Sequence, residues 1–225
     1  MSFSDELRRA YADYVDDLTA HPFLDQVAAG TIQRSCFKRF LEQDLCILAE
    51  EAKVFGVAVS RASTLAEAAN LSSMIHELNA DEHERHRILL EHLGSAPNET
   101  AFELLPTTYA YASHLRACAV DGHRARMLAA LLPCAHVYRQ VGRRYAHAAP
   151  PNPIHAAWMR PYQVGSLDSY IGKHAGLLND AADAAGDHER AAAERAFAVS
   201  LHYERAYLDM ACYGETWNTG AALAG

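Results

Sequence analysis

Cys134 and Tyr138 suggest chemistry because they share the buried face of one amphipathic helix. Apolar and reactive side chains recur every three or four residues from Met127 to Tyr145, and this spacing places them on a single stripe. Pro133 cannot donate a backbone hydrogen bond, so we predict a bend just before the thiol. A bend beside a buried cysteine is one way to form a pocket, but most buried cysteines are small core residues. Both interpretations of Cys134 stay open here.

Two carboxylates interrupt the apolar stripes of other predicted helices. Asp44 lies on the stripe of a long helix near the N-terminus, and Glu204 lies on the stripe of the last helix. A carboxylate is costly to bury without a hydrogen bond or a positive group. Each of these carboxylates should therefore have a partner. A protein group is the commoner partner, and a ligand is the alternative. Tyr111, on a helix that begins near Pro106, also faces inward.

Asp44, Cys134 and Glu204 lie on three different helices, and their convergence with Tyr111 and Tyr138 indicates a site in the core of a bundle. A thiol can act as a nucleophile and a carboxyl group as an acid or base. A second carboxylate can orient a basic ligand, and the tyrosines offer flat faces for a planar ring.

The elements that must position these residues are helices. The chain of 225 residues is rich in Ala, Leu, Glu and Arg, β-branched residues are sparse, and no long linker divides it. We therefore predict one all-α domain over residues 1–225, a bundle with a single core. Ser4 is the predicted cap of the first helix, Thr64 and Glu67 form a predicted capping box, and Tyr162 follows Pro161 in a break. The predicted helices span about 5–19, 22–29, 31–61, 64–92, 106–118, 127–145, 154–159, 165–186 and 189–213. Loops are predicted at Pro97-Asn98 and at Asp121-Gly122.

Charge and cysteine content exclude several classes of function. A net charge of −8 and a pI near 5.9 argue against binding to nucleic acid or to an anionic membrane, because both need a basic surface. The five cysteines show no CxxC spacing, so neither a disulfide framework nor a zinc site is indicated. No signal peptide or membrane span is recognisable. We expect a soluble, cytoplasmic protein with a small neutral or cationic ligand.

Residues 76–87 are dense in Glu and His, and Glu82 and His86 lie one turn apart, as metal ligands on a helix can. Alternating charge is more typical of a solvated face, and we therefore predict surface and no metal. A di-iron oxidase stays an alternative, for which Glu50, Glu51, Glu82 and His86 would be the available ligands. A regulatory protein that binds a pyrimidine or thiamin without turnover is a third possibility.

Five segments together resemble the TenA family of aminopyrimidine aminohydrolases, also called thiaminase II, over essentially the whole chain. They are FLEQD ending in Asp44, PTTYAYASH around Tyr111, LLPC followed by Tyr138, WMRPY ending in Tyr162, and HYERAYLDMA containing Glu204. LLPC is typical of the branch with an active-site cysteine. The resemblance implies a heme-oxygenase-like helical fold without heme or another cofactor, a homotetramer, and a role in thiamin salvage.

The resemblance also implies a role for each matching residue. Cys134 would be the nucleophile that adds to the pyrimidine ring, and Glu204 would transfer protons. Asp44 would hold the aminopyrimidine edge, with Tyr111, Tyr138 and Tyr162 lining or ordering the pocket. The implied reaction converts an aminomethylpyrimidine to the hydroxymethyl form, with thiamin as a possible second substrate. Position 47, where related proteins often carry an aromatic residue, is Ile47 here, so we expect a substrate-binding position that lacks one stacking face.

Overall fold

A computed structural model of the chain describes residues 1–95, 102–120, 123–165 and 167–218, apart from the side chains of residues 79 and 81. The loops predicted at Pro97-Asn98 and Asp121-Gly122 lie outside the described residues. Regular structure in the described ranges is helical, without a strand, which confirms the all-α prediction. The helices are α1 (Phe3–Ala10), α2 (Ala12–Thr19), α3 (Pro22–Ala29), α4 (Arg34–Ser60), α5 (Leu65–Glu77), α6 (Glu84–His92), α7 (Pro106–Val120), α8 (Arg124–Arg144), α9 (Pro153–Gln163), α10 (Leu167–Asp183) and α11 (Asp187–Tyr213).

The N-terminal segment differs in detail from its prediction. Ser2 caps α1 by accepting a hydrogen bond from the backbone N–H of Asp5, whereas Ser4 is buried inside the helix. The predicted helix over 5–19 is two helices that meet at Tyr11. The next helix has the predicted bounds because Pro22 occupies its first position and Gly30 ends it with φ of 73°, a conformation that favours glycine.

The predicted helix over 64–92 is divided. Thr64 caps α5 by accepting from the backbone N–H of Glu67 at 3.1 Å, and the Glu67 carboxylate accepts from the backbone N–H of Ser63 at 2.7 Å. A π-helical turn, Leu78–His83, then separates α5 from α6. Such turns change the direction in which the following side chains project and are frequent at functional sites.

The predicted break at Pro161 is wrong, because α9 continues through this proline to Gln163. The ring of Pro161 removes one backbone donor, but the helix needs only two more residues to reach its end. Asn152 starts α9 by accepting from the backbone N–H of Ile154, and Pro153 at the first position needs no donor. Tyr162 therefore lies on a helix and is buried.

The buried apolar side chains form a contiguous cluster to which each of the helices α1 to α11 contributes. Helix α8 packs between α10 and α11, and α4 packs against α5 and α7. Where α8 meets α9, a Cβ atom at Gly142 would lie 2.0 Å from the carbonyl oxygen of Tyr162, so glycine permits this close approach. The single-domain assignment stays a prediction. None of the described helices is long and apolar enough to span a bilayer.

Candidate active site

A cavity of about 280 Å³ opens between α4, the π-helical turn, α6, α8, α9 and α10. Most of its walls are apolar or aromatic, with a small number of ionisable groups, as is usual for sites that bind small molecules. The residues that carry its chemistry are Glu51, Glu82, Arg85, Cys134, Tyr138 and Tyr162.

Helix α8 places Cys134 and Tyr138 in the cavity wall, one turn apart. Pro133 is buried within the helix, immediately before the thiol. Burial raises the pKa of the Cys134 thiol well above its ordinary value, and the nearby carboxylates of Glu204 and Glu51 raise it further. The resting group is consequently a neutral thiol, and a nucleophilic thiolate requires a neighbouring proton acceptor.

Glu204 is buried on α11 and accepts a hydrogen bond of 2.7 Å from the phenol of Tyr111 on α7. Burial raises the pKa of Glu204 to about 8; the bond from Tyr111 opposes this shift, and the charges of Asp44 and Glu82 add to it. Glu204 therefore carries a proton much of the time at neutral pH, as a general acid must. The Tyr111 ring stacks on Tyr203, with centroids 5.3 Å apart.

Asp44 has His86 as its partner. Oδ2 of Asp44 lies 2.9 Å from Nδ1 of His86, although the groups are not aligned for a hydrogen bond. His86 is fully buried, and Glu82 lines the cavity. The prediction that Glu82 and His86 belong to a solvated face is therefore wrong. A run of alternating charge has the pattern of a solvated face, but α6 packs against α4 and α9, and His86 is buried in that packing.

Tyr162 joins Glu82 and Arg85 in one polar group at the cavity wall. Its phenol donates to Oε1 of Glu82 at 2.8 Å and accepts from Arg85 at 3.3 Å. Arg85 also lies 3.6 Å from Glu82 and 5.5 Å from the centre of the Tyr162 ring. Glu82 is thus compensated by a cation and a donor.

The aromatic wall is held from behind by α9. The rings of Tyr138 and Tyr162 lie 5.2 Å apart, and Trp158, fully buried, contacts both edge-on at 6.0 Å and 5.3 Å. Phe37 and Phe40 extend this cluster into the core through their own edge-on contacts with Trp158. Such contacts restrict the orientation of the two tyrosines that line the cavity.

Comparison with known proteins identifies the family. The model of the TENA/THI-4/PQQC family matches residues 5–214. The chain belongs to this family. A curated relative from Bacillus subtilis, named aminopyrimidine aminohydrolase, is 30% identical over 98% of this chain and 94% of its own length. Another of that name, from Halalkalibacterium halodurans, is 27% identical over 88% of this chain and 90% of its own length.

Solved structures agree with this chain in fold. A TenA homologue from P. horikoshii OT3 superposes with a TM-score of 0.85 at 23% identity, covering 96% of this chain and all of its own. A domain described as having a heme oxygenase-like fold, from Shewanella denitrificans, gives a TM-score of 0.70 at 14% identity over 92% of this chain and 90% of its own. The predicted fold class is confirmed.

The predicted site residues of this TenA-family bundle fall into two groups, those that line the cavity and those that do not. Cys134, Tyr138 and Tyr162 line the cavity. The described lining residues do not include Asp44, Ile47, Tyr111 or Glu204. Asp44 and Glu204 still act on the cavity, because both raise the pKa of the Tyr138 phenol. Ile47 is buried in the apolar cluster with 3% of its surface exposed.

Outside the di-iron alternative, sequence analysis assigned no site role to Glu51, and it assigned none to Arg85 or Tyr170, which also line the cavity. Glu51 carried a detectable signal, since it lies on the same apolar stripe as Asp44, seven residues further along α4. Arg85 carried none, because an arginine among alternating charges has the pattern of a surface residue.

One group among the described residues has the donors to hold a metal ion, namely Asp44, Glu82 and His86, whose ligand atoms lie within 4.8 Å of one another. Glu50, which the di-iron alternative needed, is instead paired with Arg116 and Lys53. Its carboxylate oxygens lie 2.6 Å from each of these cations. The structure thus does not assemble the four ligands of that alternative, and Arg85 and Tyr162 already satisfy Glu82.

Proposed function

We propose that this chain hydrolyses an aminomethylpyrimidine to the corresponding hydroxymethylpyrimidine and ammonia, as an enzyme of thiamin salvage. The observation that carries the proposal is a thiol, Cys134, in an aromatic cavity close to a carboxylic acid, Glu204, whose pKa is about 8. The names of the curated relatives, aminopyrimidine aminohydrolase, support the reaction class.

The chemistry explains why a thiol and an acid are needed together. Substitution at the methylene group is slow until the ring becomes electron-rich, and addition of sulfur to a ring carbon achieves this. Glu204 protonates a ring nitrogen, and its carboxylate then takes the proton of the Cys134 thiol as the C–S bond forms. Loss of the amine breaks the exocyclic C–N bond, water adds to the methylene carbon, and departure of the sulfur restores the ring and the thiol.

Other residues would hold the ring during these steps. Tyr138 and Tyr162 present faces to a planar ligand, and their orientation is restricted by Trp158. We propose that Asp44, supported by His86, binds the amino-substituted edge of the pyrimidine, and that Tyr111 orients Glu204 through its hydrogen bond. Ile47 lies three residues after Asp44 on α4 but is buried in the apolar cluster, so we propose that it supports the ring-binding site from behind the cavity lining. Homotetrameric assembly and a cytoplasmic location stay predictions.

The test is a substrate panel of aminomethylpyrimidine, its formyl derivative and thiamin, assayed for released amine and for pyrimidine alcohol. We expect the aminomethyl compound to be turned over, and Cys134→Ser to retain the fold and lose nearly all turnover, because an alcohol is a far weaker nucleophile than a thiolate. Full activity of Cys134→Ser would exclude the covalent route. Absence of turnover across the panel would refute the proposed function.

A further inference from the structure

Glu51 is a buried carboxyl group in the wall of the cavity. It lies on α4, has 3% of its surface exposed, and lines the cavity with Cys134 and Tyr138. Its Oε1 atom is buried and has no hydrogen-bond partner among the described residues. Burial raises the pKa of Glu51 well above its ordinary value, and the charges of Glu204, Glu82 and Asp44 raise it further. The surroundings of this carboxyl group are therefore negative.

The other carboxylates near the cavity have protein partners. Glu82 accepts from Tyr162 and lies beside Arg85, Glu204 accepts from Tyr111, and Glu77 is paired with Lys173. Glu51 differs from all three in having a buried oxygen that the described protein groups leave unsatisfied. Carboxyl groups with protein partners and one with an unsatisfied oxygen therefore occur around the same cavity.

An unsatisfied buried carboxyl group lowers the stability of the fold, and it is explained when a ligand provides the missing partner. A cationic ligand group would be attracted by the negative charges around Glu51. A small group with several hydrogen-bond donors would fit beside this buried carboxyl group in the cavity. A primary ammonium group has both properties, since it is compact and carries three N–H donors. The amine of an aminomethyl group, which a methylene carbon separates from the aromatic ring, is in this form at neutral pH.

We propose that Glu51 is the binding subsite for the primary ammonium group of the substrate. This inference rests on the proposed function, because the substrate there is an aminomethylpyrimidine. The ammonium group leaves as ammonia during hydrolysis, and the alcohol that replaces it is neutral. Glu51 therefore distinguishes substrate from product, binding the first through a charge-assisted hydrogen bond and releasing the second.

The experiment measures binding of two ligands by calorimetry in the Cys134→Ser background, where turnover does not interfere. The ligands are aminomethylpyrimidine and hydroxymethylpyrimidine, which differ in the amine alone. We expect Glu51→Gln to weaken binding of the amine by about 10- to 100-fold, the range for a hydrogen bond to a charged group. Binding of the alcohol should be unchanged, so the ratio of the two affinities is the readout.

Glu50→Gln is the matched control, because Glu50 precedes Glu51 on the same helix and is also buried but is paired with Arg116 and Lys53. It should leave both affinities unchanged. Glu51→Gln should also unfold at a denaturant concentration no lower than its parent, since it removes an unsatisfied buried acid. An equal loss for both ligands, or unchanged affinity for the amine, would overturn the assignment of Glu51. If the parent binds neither pyrimidine, the proposed function itself fails and this inference with it.

Discussion

Glu50 and Glu51 are neighbours on α4, and they occupy opposite electrostatic environments. Both are buried, with 5% and 3% of their surfaces exposed. Glu50 faces Arg116 on α7 and Lys53 one turn along, and the hydrogen bond from Arg116 lowers its pKa. Glu51 faces the cavity, and burial raises its pKa. Similar exposure therefore does not give the two carboxyl groups the same pKa: nearby cations outweigh the cost of burial at Glu50, whereas the charges near Glu51 add to it.

The same contrast separates two regions of the molecule. On the outer side of α4, Glu50 has cations close by and is held ionised, which favours the folded state. On the inner side, the charges of Asp44 and Glu82 raise the pKa values of Glu51 and Glu204. Such a cluster costs stability, and a cost of this kind is typical of sites that work on a ligand.

The largest expected effect concerns the rate of catalysis. We expect Glu204→Gln to bind the pyrimidine but to lower kcat by about 10²- to 10⁴-fold, because an amide keeps the shape and cannot exchange a proton. Glu50→Gln should keep a rate close to that of the wild type. Steady-state kinetics of both variants provide the measurement. A loss in Glu204→Gln confined to KM would argue against an acid and base role.

The second prediction concerns pH and stability. Glu204 has a pKa of about 8 in the folded chain and an ordinary value of 4.5, so between these values the folded state holds a proton that the unfolded state has lost. The free energy of unfolding must then fall as pH rises between the two values, by at most about 1.4 kcal/mol for each pH unit. We expect urea denaturation to show the stability of Glu204→Gln, relative to the wild type, increasing from pH 4.5 to pH 8.

Glu50 should show the opposite trend. Its pKa is lowered on folding, so its stabilising contribution is present above its ordinary pKa and disappears as pH falls. Wild type should therefore be more stable than Glu50→Gln at neutral pH, with the difference vanishing in acid. If the stabilities of the two variants, each relative to the wild type, changed with pH in the opposite sense to that predicted for either one, the proposed distinction between the two faces of α4 would be wrong.

The third prediction extends the comparison to packing. Gly142 lies against the backbone of Tyr162, where an added Cβ would be 2.0 Å from the carbonyl oxygen, whereas Gly56 is exposed on α4 with nothing within 4 Å. Gly142→Ala should therefore destabilise the fold by about 1–3 kcal/mol and impair ligand binding by displacing Tyr162. Gly56→Ala should stabilise it by about 0.5–1 kcal/mol. Thermal unfolding would reveal both changes, and equal shifts in the same direction would contradict the close-packing argument.

The smallest effect is expected from one cation on the outer side. Lys53 has 68% of its side chain exposed, and solvent screens such a pair. Lys53→Met should change the free energy of unfolding by less than about 1 kcal/mol, because Arg116 still donates to Glu50 at 2.6 Å. A larger loss of stability by chemical denaturation would mean that Arg116 alone does not stabilise ionised Glu50. The contrast with Glu51 would then depend on both cations.

Much of the fold was accessible to local arguments. Helical propensity and the spacing of apolar residues predicted the all-α class and the inward positions of Tyr111, Tyr138 and Glu204. The capping box at Thr64 and the extent of α3 followed from short-range hydrogen bonds and from Gly30. These features depend on residues a few positions apart, so the sequence contains all the information they need.

The tertiary structure decided which partner each buried polar side chain contacts. The hydrogen bond between Tyr111 and Glu204 joins residues 93 positions apart, and the contact between Asp44 and His86 joins α4 to α6. Periodicity placed Glu51 on the apolar face, but the absence of a described partner for its Oε1 atom became visible only once the helices were packed. The sequence by itself determined the buried face of helices such as α7 and α11, because that depends on local spacing. The packing of distant helices determined which charges meet there, and so which carboxyl groups acquire a protein partner.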